Sequence, residues 1–119
     1  MRNPNNYVAI LYTLFVPGND NYGRRIPQAR LNRAHQLLLD CAGGLTTFAP
    51  GIGIWVDRTA TAFREPMIPI QVVASPGSET EERFVRQVGE LAALLEQEEI
   101  FLFAQTVWLL KHTRSPLQN

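Results

Sequence analysis

Gly51-Ile-Gly-Ile-Trp-Val-Asp57, Arg58-Thr-Ala-Thr-Ala-Phe63 and Met67-Ile-Pro-Ile-Gln-Val-Val-Ala74 together decide how this chain folds. In a strand every second side chain shares a face. Ile52, Ile54 and Val56 therefore fall on one side of the first run, with Trp55 and Asp57 on the other, and Ile68, Ile70 and Val72 share one side of the last. Two such runs joined by a short link read as a hairpin with a decided inside. Pro69 sits in the second strand without an N–H to give, so a bulge or broken pairing is expected beside it. If all six aliphatic residues point inward, cross-strand partners sum to an even number, and one such register sets Asp57 opposite Glu65. Facing carboxylates can act as an acid and base pair. Charge pairing favours an odd register instead, Asp57 with Arg64 or Arg58 with Glu65, and a bulge near Glu65-Pro66 reconciles the two.

Outward from the hairpin, both flanks read as helix and then strand. Pro27 to about Cys41 places Leu31, Ala34, His35, Leu38 and Ala42 on one helical face, with Gly43-Gly44 as its stop. After the hairpin, Ser78-Glu-Thr-Glu81 has the form that opens a helix by reciprocal capping. Phe84, Val88, Leu91 and Leu95 then recur at helical spacing. Tyr7 to Val16 and Ile100 to Leu110 close the pattern as strands that are apolar on both faces. The order is βαββαβ, an α+β, ferredoxin-like arrangement. It predicts a four-stranded antiparallel sheet in the order 4-1-3-2 with two helices on one face. The 119 residues suit a single domain, with 7–110 as the ordered core and 111–119 as a tail.

Composition narrows the function. Lys plus Arg equals Asp plus Glu, 11 of each, so no whole-molecule field attracts nucleic acid or an anionic membrane. Residues 1–74 carry seven basic and four acidic side chains and 75–119 four and seven, a split of +3 and −3. The acids Glu79, Glu81, Glu82 and Glu90 read as the solvated face of the second helix. Cys41 has no disulfide partner, and His35 and His112 are too far apart in sequence for metal-ligand spacing. A reducing cytoplasm is the expected setting, with no metal and no cofactor. Arg2 precedes an apolar run as long as a signal-peptide core, but no small-residue cleavage site follows it, and Pro17-Gly18 ends it as a turn. Gly51-Ile-Gly53 enters a strand, where a dinucleotide fingerprint would open a helix. Met67 to Val72 lacks the basic residue, glycine and spaced aromatics of the RNA-recognition module that shares this topology.

Two helices cover one side of such a sheet, so the other side should be polar at every second residue. Here either parity of the outer strands is apolar: Tyr7, Ala9, Leu11 and Phe15 or Val8, Ile10, Tyr12 and Leu14, then Phe103, Val107 and Leu109 or Leu102, Trp108 and Leu110. An apolar face of several hundred Å² needs a cover. The expected cover is a second copy, making a homodimer through the open sheet face, with room for a small-molecule ligand. This pattern resembles the dimeric α+β-barrel branch of the ferredoxin-like fold. Gly44-Leu-Thr and Gly51-x-Gly-x-Trp-x-Asp57 are loosely similar to small proteins of unknown function. No catalytic signature of that branch matches residue by residue.

The expected role is a non-catalytic structural, interaction or small-ligand-binding module. The alternative is an enzyme acting on a small, partly apolar organic molecule in a cavity between sheet and cover. Trp55, Gln71 and Gln105 would line such a cavity. His35 and Asp57 are the candidate catalytic groups, although a lone histidine at a helix boundary is ordinarily a hydrogen-bonded packing residue. Arg24 and Arg25, with Arg30 and Arg33, form a basic patch that could hold a phosphate or carboxylate under Tyr22, or simply a solvated surface.

Overall fold

The computed structural model describes residues 6–97 and 100–110, apart from the side chains of Asn6 and Trp55. Its elements run β1 (Asn6–Pro17), α1 (Gln28–Ala42), β2 (Thr46–Thr47), β3 (Gly51–Val56), β4 (Ala62–Ala74), α2 (Glu79–Leu94) and β5 (Leu102–Leu110). The tail expected over 111–119 lies outside the described residues. One antiparallel sheet has the order β2-β4-β1-β5, with β3 also on β4. This is the 4-1-3-2 order with its edge strand split in two, hence five strands rather than four.

Pro69 explains the split. Thr47 lies opposite Ile70 and Gly51 opposite Met67, so Phe48, Ala49 and Pro50 stand against Ile68 and Pro69 alone. One extra residue on the edge strand is a bulge. Phe48 N–H donates to the Pro69 carbonyl at 3.0 Å. A strand residue turns its N–H and C=O the same way, so the donor that proline lacks would have faced this edge. The ladder breaks there and stays whole toward β1, where Phe15 faces Pro69.

The hairpin differs more from expectation. β4 begins at Ala62, five residues before the predicted Met67, and meets β1 from Met67 onward, opposite Pro17. Residues 62–66 therefore run past β1 with β3 as their partner, forming a two-stranded arm. Glu65 faces Gly53 and Arg64 faces Ile54. The Asp57–Glu65 carboxylate pair is not formed, nor is either odd charge pair, and the bulge is at Phe48–Pro50 rather than Glu65-Pro66. The turn explains this: Asp57 Oδ1 accepts from the Thr59 N–H at 2.8 Å, the Thr59 hydroxyl at 2.7 Å and the Thr61 N–H at 3.0 Å. A side chain that closes its own turn fixes the register. The aliphatic face of β3 is likewise not inside, because the arm outruns the helices: Ile52, Ile54 and Val56 are 64%, 57% and 62% exposed.

The core lies between the sheet and the two helices. Tyr12, Leu14, Val16, Ile70, Val72 and Ala74 bury the even face of β1 and β4 against Leu31, Ala34 and Leu38 of α1 and Phe84, Val88 and Leu91 of α2. Gly43 ends α1 at φ 75°, a conformation that favours glycine. Ser78 Oγ accepts from the Glu81 N–H at 3.1 Å, as its sequence suggests, while Glu81 Oε1 accepts from the Gly77 N–H at 2.9 Å. Glu81 also ties α2 to the sheet, accepting from the Tyr12 hydroxyl at 2.8 Å.

This last contact gives a pH signature. Burial, then the hydrogen bond to Glu81 and its charge, push Tyr12 up from 10.0 to about 12. The Gly77 N–H and the Tyr12 hydroxyl hold Glu81 below its ordinary value, against a smaller opposing effect of burial. A raised tyrosine stabilises the fold fully below its unfolded pKa and loses that contribution as pH rises through about 12. For Glu81 the contribution is present above the ordinary carboxylate pKa and lost as pH falls through its lowered value. Ultraviolet titration should therefore show a tyrosine ionising only near pH 12, and the step should vanish in Tyr12→Phe. If the variant keeps that step, the assignment fails.

Candidate functional site

The odd residues of β1, β4 and β5 make the open face, which settles the parity the sequence left undecided. Tyr7 at 37%, Val73 at 43% and Phe103 at 53% are exposed there. Phe15 meets Phe103 edge-on, with ring centroids 5.9 Å apart. Phe15, Phe103, Met67 and Pro69 line a cavity of about 380 Å³ where the face meets the arm residues Ile52 and Ile54. Polar groups are sparse on this side. Gln71 Nε2 donates to the Thr13 hydroxyl at 3.3 Å, and Gln105, opposite Leu11, is exposed.

Apolar exposure does not stop at the open face. Ala104, Thr106, Trp108 and Leu110 occupy the helix side of β5, and all four are exposed. The helices pack over β1 and β4; on the helix side of β5 only Leu102 joins the core, and the residues from Ala104 to Leu110 on that side stay exposed.

The sequence-predicted site residues are dispersed. His35 is half-buried on α1, with Nδ1 2.9 Å from the Leu31 carbonyl. A carbonyl can only accept, so Nδ1 carries the proton and Nε2 is the acceptor of the neutral ring. His35, Leu39, Leu45, Phe48 and Ile68 line a cavity of about 530 Å³ between α1 and the broken edge strand. Gln71 and Gln105 lie across the sheet from it, so no single cavity gathers them with His35. Asp57 is at the tip of the arm, where the Thr59 hydroxyl and then the Thr61 N–H hold its carboxyl below the ordinary value. The side chain of Trp55 lies outside the described residues.

Two of the four arginines of the basic patch, Arg24 and Arg30, are paired with carboxylates of the molecule itself. Arg24 Nε is 2.8 Å from Asp20 Oδ2 and its Nη2 is 3.5 Å from Glu96 Oε2, while its guanidinium stacks over Tyr22 at 5.0 Å. Arg30 reaches the same Glu96 oxygen at 3.7 Å. Burial would raise Asp20, but the Arg24 and Tyr22 N–H groups and the Arg24 guanidinium outweigh it and hold the carboxyl below its ordinary value. Arg25 closes the same loop through backbone pairing with Asn19.

Sequence reading considered Glu65 only as a cross-strand partner of Asp57 or Arg58 and missed its actual setting. The β1–α1 loop folds back onto the base of the arm, where Gly18 N–H donates to the Pro66 carbonyl at 2.8 Å. A Cβ on Gly18 would come within 2.6 Å of Pro66 Cγ. Beside this approach lies an open cleft of about 460 Å³ lined by Asp20, Tyr22, Phe63, Arg64, Glu65 and Gln97 among others. Glu65 Oε1 is buried there with no hydrogen-bond partner among the described residues. Burial pushes Glu65 up, against a smaller lowering by the Asn19 N–H. Among the described residues no cluster of His, Cys, Asp or Glu has metal-binding geometry, and no helix is long and apolar enough to cross a membrane.

No family model and no curated protein matches the chain. Solved structures do. A phage SAM lyase in complex with S-methyl-5'-thioadenosine aligns at a TM-score of 0.61 and 12% identity, over 86% of this chain and 89% of its own. The divalent cation tolerance protein CutA1 of Thermus thermophilus aligns at 0.58 and 10%, over 83% and 84%. GlnK of B. subtilis aligns at 0.51 and 12%, over 85% and 86%. At such identities the likeness establishes the fold alone, and it is the ferredoxin-like α+β fold.

Proposed function

We propose that this chain is a self-associating, non-catalytic module of the cytoplasm that binds a small ligand or a partner, with a second copy covering the open sheet face. The supporting observation is the exposed apolar surface formed by Phe103, Val73 and Tyr7, continuous through the Phe15 cavity with the arm. Burying several hundred Å² on each copy at about 25 cal/mol per Å² outweighs an association cost of roughly 4–15 kcal/mol. A face-to-face pair alone leaves Trp108, Leu110 and the aliphatic side of the arm wet, so the contact extends to these elements.

The catalytic alternative has less support. His35 and Asp57, its candidate acid and base, occupy an α1 cavity and the tip of the arm, and Asp57 is occupied with its own turn. Size-exclusion chromatography with light scattering tests the assembly. A mass that is a multiple of 13.4 kDa supports it, and a stable single-copy mass sinks it.

A further inference from the structure

We infer that the arm is a clasp between copies: the aliphatic face of β3 in one copy lies across the helix side of β5 in a second, which returns the same contact. The inference rests on the self-association proposed above and names the surfaces that meet beyond the open face.

The arm and the bare part of β5 lie at opposite corners of the chain. Ile52, Ile54 and Val56 stand opposite Pro66, Arg64 and Ala62, past the point where Met67 faces Pro17 at the end of β1. Trp108 and Leu110 lie near the start of β1, where Leu110 faces Asn6. The twelve residues of β1 span about 40 Å between these points, and β3 and β5 are on opposite edges of the sheet. One chain's arm therefore cannot cover its own β5. The dimensions of the chain agree, with a long axis of 59 Å against 31 and 26 Å. Its radius of gyration is 17.4 Å, where a compact chain of this length has roughly 13–14 Å. A projecting arm with a bare apolar side is the shape of an element that packs on another molecule.

A second copy fits in length, area and composition. β3 is six residues, about 20 Å of strand, and 104–110 of β5 span roughly 24 Å, so the two can pack face to face as sheets do. The exposed parts of Ile52, Ile54, Val56, Trp108 and Leu110 offer roughly 600 Å² to one such contact. A two-fold axis doubles this to roughly 1,200 Å², where stable specific interfaces begin, before the open face is added. Leu102–Leu110 also contains neither a charge nor a proline, the guards that an edge strand left in water ordinarily carries. A foreign partner gives no reason for two strips of one chain to match.

The test co-expresses two full-length variants, both with Cys41→Ser, one carrying Ile54→Cys and the other Thr106→Cys. Facing sheets are about 10 Å apart, too far for a disulfide and within reach of a short bis-maleimide. A cross-linked product with one chain of each kind is expected, at least tenfold above that formed when Arg33→Cys, on the exposed side of α1, replaces Thr106→Cys. Absence of the mixed product with both Thr106→Cys and Ala104→Cys, or coupling of Ile54→Cys only to itself, overturns the proposal. Should a cysteine variant fail to fold, Ile54→Glu in the parent chain decides the matter by light scattering. Dissociation at a concentration at least tenfold higher than the parent supports the clasp, and unchanged dissociation overturns it. A parent chain of single-copy mass removes both this contact and self-association, whereas an associated parent without the mixed product removes the clasp alone.

Discussion

Phe103→Glu is expected to break the assembly while leaving the fold of each copy in place. The ring is 53% exposed on the open face and edge-on to Phe15. Within one copy its loss removes an aromatic contact of roughly 0.5–1.5 kcal/mol, and the new carboxylate can be hydrated. Between copies the same carboxylate would be buried in an apolar contact without a partner, a cost of several kcal/mol. Light scattering should show a single-copy mass, or aggregation through the remaining bare surface, with the circular dichroism of the fold retained. Trp108→Glu, placed on the helix side of β5 at 56% exposure, should act in the same direction if the cover wraps the strand. A Phe103→Glu protein with the mass of the parent at every concentration would remove the open face from the interface.

Periodicity is local, which is why the order of elements was legible from the residues. Leu31, Ala34 and Leu38 repeat at helical spacing and are buried together; Ile70 and Val72 alternate and are buried together. Pro69 announced its bulge because a missing donor has the same consequence in any sheet. Length and cover are not local. Arg64-Glu65-Pro66 does not look like strand, yet it is strand because β3 pairs with it out of reach of β1. Ile52, Ile54 and Val56 alternate like core residues, and nothing in that alternation says that the helices end before reaching them. The charges of the hairpin misled for a related reason: Asp57 is worth more to its own turn than to Arg64 across the strand. The Glu65 cleft was illegible because the fold alone brings the loop of Asn19 and Asp20 against β4, from more than forty positions away in sequence.

Phe84→Ala is expected to be the most destabilising single truncation in the helix layer. Phe84 is fully buried, and its ring packs on Tyr12 with centroids 5.2 Å apart. Removing it costs about 3–5 kcal/mol in transfer and cavity terms, a large part of a typical total of about 5–15 kcal/mol. The melting temperature should fall by on the order of 10–20 °C. The effect should not add simply to that of Tyr12→Phe, because Tyr12 also holds Glu81 and the two side chains share one contact. Val85 is the control: one residue along α2 and 44% exposed, its truncation to alanine should stay within about 0.5 kcal/mol. The contrast between adjacent residues depends on which face of α2 meets the sheet, and thermal or urea unfolding of both variants measures it directly. Equal losses at Phe84 and Val85 would mean that α2 is rotated from the orientation described, and the Tyr12–Glu81 contact would fall with it.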